Sequence, residues 1–278
     1  MLTAPGGGRK NVMKTIVSSI VAISAFTSAA SAQSGDFLGW TANVRSVSGG
    51  FLVNVYAVTQ NATDVLLNVY GGNAGQPDAG FVSTTSAGGF LQGAESQGLW
   101  APVGNQSWTS LDSFFTVGGG LSSGGAWSAN QNTVGDPTWN VTDSGSTVSA
   151  FNTASVGSFT NPYTTSVPSA AGWYVAGPGV GDPAQTARSL ATLGNRIASS
   201  NAAAAAGQYG VMVAQMYVAQ LSLPGNGLSA VIDWKLGATI KNGVTGVLSQ
   251  GTESFVIPAP GALAVLGLAG IAGGRRRR

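Results

Sequence analysis

The chain has 278 residues, 44% hydrophobic and only 8% charged, with 42 glycines and neither cysteine nor histidine; disulfides, zinc sites and imidazole bases are therefore excluded. Its formal charge of +2 arises at the ends, where Arg9, Lys10, Lys14 and the terminal arginines lie, and the body from Gln33 to Val256 has five cations against ten acids, a net −5. An acidic body lacks the broad basic face that DNA or RNA requires, so no nucleic acid is expected as a partner.

At the N-terminus, Lys14 precedes an apolar run from Ile16 to Ala25, and Ser28-Ala29-Ala30-Ser31-Ala32 follows. A basic start, a short apolar core and an Ala30-x-Ala32 exit describe a secretory signal peptide. Residues 1–32 are read as this signal helix, with Met13 an alternative start, cleavage after Ala32 and Gln33 as the mature N-terminus. Residues 33–254 are long enough for one large domain burying roughly 70% of its unfolded surface. Scarce charge alone would point to disorder, but seven tryptophans and recurring β-branched runs indicate a packed core.

Phe51 to Val58 and Val65 to Tyr70 have strand composition, and Asn61-Ala-Thr-Asp64 between them has turn chemistry. The spacing predicts an antiparallel hairpin. Glycine pairs break up residues 71–98, with short strands expected near Phe81 and Phe90. Trp108 to Val117 reads as a strand with Leu111, Phe115 and Val117 on one face. Short apolar groups follow at Trp139 to Val141 and Val148 to Phe151, and Gly172 to Ala176 reads as a strand.

Over 183–198 the pattern turns helical: Asp182 can cap, Pro183 suits the first turn, and Leu190, Leu193 and Ile197 form one stripe. Gly210 to Leu221 is nearly all apolar, which predicts a central strand covered on both faces. Leu228 to Leu236 alternates, placing Leu228, Ala230, Ile232, Trp234 and Leu236 inward and Ser229, Asp233 and Lys235 outward. The expected fold is mainly β, an antiparallel β-sandwich of Ig-like or jelly-roll kind, with one helix near 183–198.

Residues 255–278 close the chain. Phe255-Val-Ile-Pro258-Ala259-Pro260 leads into an apolar segment, Gly261 to Gly274, and then Arg275, Arg276, Arg277 and Arg278. About 20 apolar residues cross a bilayer as a helix; Phe255 to Gly274 just reaches that length, and the arginines would stay cytoplasmic. Motif, apolar run and basic end resemble the PEP-CTERM sorting tail of exported bacterial proteins, with Ala259 where that family has a central glutamate. The resemblance covers the tail alone. It implies an exosortase-type membrane protease as partner, a transient inner-membrane anchor, and delivery to a cell surface or matrix rich in exopolysaccharide.

No catalytic group emerges from the body. Gly120-Leu-Ser-Ser-Gly124 matches a nucleophile elbow in letters, but has no histidine base and stands in a glycine-rich stretch. Lys235 and Lys241 are the lysines open to a Ser-Lys pair, and Lys235 is on a polar strand face. Asp136, Asn140 and Asp143 are oxygen donors without EF-hand spacing, so no metal and no cofactor is expected. Glycoside hydrolysis needs two facing carboxylates, and no pair is singled out. Trp40, Trp100, Trp108, Trp127, Trp139, Trp173 and Trp234 offer flat rings for stacking on sugars if exposed, or core filling if not. The reading is a non-catalytic surface or matrix protein, with an exopolysaccharide-binding module as the alternative and a carboxylate-dependent hydrolase as a weaker one.

Overall fold

The computed structural model describes residues 36–71, 82–84, 89–91, 100, 102, 111–121, 127–130, 132–135, 172–175, 183–194, 196–219 and 231–258. In chain order the strands begin with β1 (Phe37–Val47), β2 (Gly50–Thr59), β3 (Val65–Tyr70), β4 (Val82–Thr84), β5 (Phe114–Phe115), β6 (Gly119–Leu121) and β7 (Trp127–Ala129). They continue with β8 (Thr133–Gly135), β9 (Gly172–Val175), β10 (Arg188–Ser189), β11 (Arg196–Ala198), β12 (Tyr209–Ala219), β13 (Val231–Lys241) and β14 (Leu248–Pro258). One short helix, α1 (Ala202–Ala206), precedes β12.

Twelve of these strands form two antiparallel sheets, and β6 pairs with β7 in a separate two-stranded one. Sheet A has the order β10-β12-β2-β1-β11, with β5 also against β12; sheet B has the order β14-β13-β3-β9-β8, with β4 also against β13. Period-2 alternation decides which side chains enter the core between them. Phe51, Val53, Val55 and Ala57 of β2 point inward, towards Ile232, Trp234, Leu236 and Ala238 of β13. Aromatic rings link the layers in a ladder: Phe37–Trp40, Trp40–Trp234, Trp234–Trp173, Trp173–Phe115, Phe115–Trp100 and Trp100–Phe90, with centroids 5.0, 5.5, 6.2, 4.4, 5.0 and 6.1 Å apart. All six pairs meet edge-on or tilted rather than face to face, as ring quadrupoles favour. The other face of β2 is buried too, because Tyr56 and Val58 join Met212 beneath Phe114, Leu190, Leu193 and Ala204. Hence β2 is buried at every position, and β12 is the central, doubly covered strand that its composition predicts.

Four expectations need correction. The hairpin across Asn61 to Asp64 does not form: β2 pairs with β1 and β12, while β3 pairs with β13 and β9 in the other sheet. Both edges of β2 are occupied by longer partners, so the turn carries the chain between sheets. It is closed by Asp64, whose carboxylate accepts from the Asn61 N–H at 2.8 Å.

Of the strand expected over 108–117, residues 111–117 are described, and among these only Phe114–Phe115 has ladder pairing. Phe115 and Val117 enter the core, but Leu111 is exposed and Asp112 and Ser113 are buried instead. Side-chain bonds to β12 replace the ladder here: Gln215 Nε2 donates to the Asp112 carbonyl at 3.0 Å, and the Tyr217 N–H donates to Ser113 Oγ at 2.9 Å.

The helix over 183–198 is absent. Two 3₁₀ turns, Pro183–Gln185 and Ala191–Leu193, alternate with β10 and β11. Leu190 and Leu193 do share a side, as three-residue spacing demands, but a 3₁₀ turn satisfies that spacing as well as a helix. Gly194 has φ 68° and ψ −135°, which stops helix propagation. The Leu190 N–H donates to Gln208 at 2.8 Å, and Gln185 Nε2 reaches the Leu66 carbonyl at 2.9 Å rather than a cap.

The fourth concerns the body's end. Strand β14 passes through Phe255 and Ile257, 3% and 1% exposed, and ends at Pro258, so residues 255–258 belong to the sandwich. A membrane helix cannot begin at Phe255, and only the 16 residues from 259 to 274 remain for a span, just under the usual lower limit of about 17. Among the described residues no helix is long and apolar enough to cross a membrane; the signal segment and residues 259–278 lie outside them.

Candidate functional site

Polar chemistry in the described part concentrates where β1 and β14 lie side by side. The register of β1 slips between Phe37 and Gly39, and Gly39 adopts φ 123°, a conformation that favours glycine. A Cβ there would collide with the Glu253 carboxylate. Glu253, on β14, accepts from Ser199 Oγ at 2.8 Å and from the backbone N–H groups of Trp40 and Asn201. Burial pushes its carboxyl above the ordinary glutamate value, and these three hydrogen bonds oppose that shift. The Ser199 N–H in turn donates to the Trp40 carbonyl at 2.9 Å, while Asn201 Oδ1 caps α1 by accepting from the Ala203 N–H at 2.9 Å. One carboxylate thus joins the β1 bulge, the start of α1 and the last strand.

Beside this knot lies an open groove of about 770 Å³, lined by Thr41, Val44, Arg196, Ile197, Ser199 and Ala205 among others. Its polar groups bond to the chain itself. Thr41 Oγ1 donates to the Ile197 carbonyl at 3.0 Å and Arg196 Nη1 to the Gly207 carbonyl at 3.0 Å. Ser199 is 5% exposed. A nucleophilic serine needs an accessible oxygen and a base free to take its proton; this one is buried, and its carboxylate partner is held by backbone donors. The arrangement acts as a brace.

A second knot holds the end of the sandwich where β13 turns into β14. Asn242 Nδ2 donates to Asp36 Oδ1 at 2.8 Å, the Gly243 N–H to Asp64 Oδ1 at 3.2 Å, and the Asp36 N–H to Ser249 Oγ at 3.0 Å. Asp36 and Asp64 are both buried. Among the described residues, no three acidic side chains converge as a cation site would require.

Of the residues singled out in the sequence, Pro258 is half-buried at the end of β14. Ala30, Ala32, Gln33, Ala259, Pro260, Arg275, Arg276, Arg277 and Arg278 lie outside the described residues, as do Asp136, Asn140 and Asp143. Gly120 and Leu121 belong to β6, whereas Ser122 to Gly124 are not described. Lys235 and Lys241 are half-buried on β13, where Lys235 stands opposite Ser254 and Lys241 opposite Leu248 in the β13–β14 register. Trp40, Trp100, Trp173 and Trp234 are all core residues. Two of them satisfy their indole N–H groups internally, Trp40 on Leu236 at 3.2 Å and Trp173 on Thr116 at 3.1 Å. The side chains of Trp108, Trp127 and Trp139 lie outside the described part.

Sequence reasoning missed the Glu253 brace. Its one local signal is the isolated Gly39 inside a strand pattern, which marks a bulge or a close approach. No protein-family model matches the sequence, and neither a curated protein nor a solved structure matches it.

Proposed function

We propose that this chain is a non-catalytic exported surface or matrix protein, a β-sandwich of Ig-like or jelly-roll kind delivered by its N-terminal signal and sorted through its C-terminal tail. The observation that carries the reading is the end of β14. Strand β14, the last described strand, pairs with β13 as far as Pro258, the first residue of the motif, so the apolar segment and four arginines follow directly on the last described pairing of the sheet. Processing by an exosortase-type protease would therefore release an intact sandwich. The non-catalytic assignment draws on Glu253 and Ser199, whose hydrogen bonds are spent on chain packing. Binding of exopolysaccharide by ring stacking would fall to Trp108, Trp127 or Trp139, since the four tryptophans with described side chains fill the core.

The test is sorting in a bacterium that has such a protease. The full chain should appear as a membrane-associated precursor and a shorter surface or released form, and the precursor alone when the protease is deleted. A chain ending at Pro258 should bypass the membrane stage. Full-length protein retained in the cytoplasm in every strain would overturn the reading.

A further inference from the structure

We propose that the end of the sandwich carrying the β1–β2 turn is a membrane-facing surface, and that its partner is the lipid headgroup layer. This rests on the sorting-tail reading above, but concerns which face of the domain the tail holds down.

Almost no linker separates the last strand from the apolar tail. Ile257 is 1% exposed in the core, and Pro258 still pairs with Val231. The apolar segment begins at Gly261, with only Ala259 and Pro260 between. Three residue steps span at most about 11 Å even when fully extended. The polar interfacial layer on each side of a bilayer is roughly 5–8 Å thick. A domain tethered this closely has little room to swing, so the end of β14 sits at headgroup depth.

Register then identifies what accompanies it. The Asp36 N–H bonds to Ser249, and four residues further along both strands the Trp40 N–H bonds to Glu253. Thus β1 runs beside β14 in the same direction, towards the same end, and turns there at Ser48 and Gly49 before returning as β2. Tyr217, from β12, reaches this turn and donates its hydroxyl to the Ser48 carbonyl at 2.8 Å. The turn Ser46-Val-Ser-Gly49 is uncharged, and the nearest charged residue in sequence is the cation Arg45. Tyrosine and arginine at such a margin suit an interface of acyl chains and anionic headgroups. The opposite end holds the buried Asp36 and Asp64, and is roughly 33 Å away along the eleven residues of β14.

A rival surface makes the inference decidable. The β13–β14 hairpin exposes Val244 (79%) and Val247 (61%), an apolar tip at the end far from the tail. If apolar exposure governed membrane contact, that tip would enter the lipid instead. The chain has no cysteine, so Ser48→Cys and Val244→Cys each create a single labelling site at an exposed turn. The full chain with either label would be reconstituted into phosphatidylethanolamine–phosphatidylglycerol vesicles containing a headgroup quencher. Quenching should be several-fold stronger at position 48 than at 244. It should fall towards the 244 level when ten glycine and serine residues are inserted after Pro258, since such a linker lets the domain move by roughly 18 Å. Equal quenching, stronger quenching at 244, or no effect of the linker would overturn the orientation while leaving the anchor intact. Failure of the full chain to enter vesicles would overturn both the orientation and the tail reading beneath it.

Discussion

At Glu253 burial and hydrogen bonding pull in opposite directions, and burial wins: the carboxyl is raised above the ordinary value of 4.5. The native state therefore holds this proton to higher pH than the unfolded chain does. The sign follows from linkage. The group's contribution to stability is intact below the unfolded value and is lost as pH rises through the higher folded one. Glu253→Gln removes the titration while keeping the shape and an acceptor for Ser199. Urea titrations at steps from about pH 4 to about pH 7 should show the variant gaining on the native protein as pH rises. A variant that loses ground as pH rises would mean that the hydrogen bonds from Ser199, Trp40 and Asn201 outweigh burial, and a constant difference would mean that they cancel it. The site's illegibility in the sequence has a plain cause. Glu253 meets a serine 54 residues away and a glycine near the start of the domain, and only the packing of β1 beside β14 brings them together. By contrast, the inward positions Ile232, Trp234 and Leu236 were legible because alternation within one strand is a local property.

Among the elements, β14 shows how apolar continuity can mislead. Phe255-Val-Ile-Pro258 runs into the apolar tail and reads as part of it, yet Phe255 and Ile257 face the core while Val256 between them is 57% exposed. That is strand alternation, and it continues the rhythm of Ser249 on the same strand. The helix at 183–198 failed for a related reason: leucines three residues apart are compatible with any single turn that packs against a sheet. The long strands β2, β3, β12 and β13 were readable because β-branched content and burial agree there. For β14 the consequence is measurable. A chain ending at Ser254 loses two buried side chains, each worth roughly 1.5–3 kcal/mol. Set against a typical total of about 5–15 kcal/mol, that leaves a marginal or unfolded domain. Followed by circular dichroism, a chain covering 33–258 should melt cooperatively. One covering 33–254 should melt far lower or show no transition, and equal melting temperatures would show that the last four residues add nothing to the fold.

Across the whole molecule, two apolar clusters share sheet A as a common wall: the ring-lined core on one side and the smaller cluster under residues 183–206 on the other. Whether they unfold together depends on how the covering segment is fastened. It is tied to both sheets, through Gln185 to Leu66 on β3 and through Leu193, whose carbonyl accepts from Asn43 Nδ2 on β1. Tyr56 and Met212, beneath the cover, are on the same strands whose other faces form the core. Loosening the cover thus exposes the backs of β2 and β12, and the domain should behave as one cooperative unit. Leu190→Ala tests this from the outside, since Leu190 is 1% exposed and belongs to the smaller cluster, whereas the tryptophan ladder belongs to the main core. A buried leucine truncation costs about 2–5 kcal/mol, and at this size each kcal/mol lowers the melting temperature by roughly 2–4 °C. Tryptophan fluorescence, which reads the ladder, and far-ultraviolet circular dichroism, which reads the sheets, should shift down together by about 10 °C and remain superimposable. If circular dichroism fell early while the fluorescence midpoint stayed at the native value, the cover would be a separate, weaker unit and the sandwich core would stand without it.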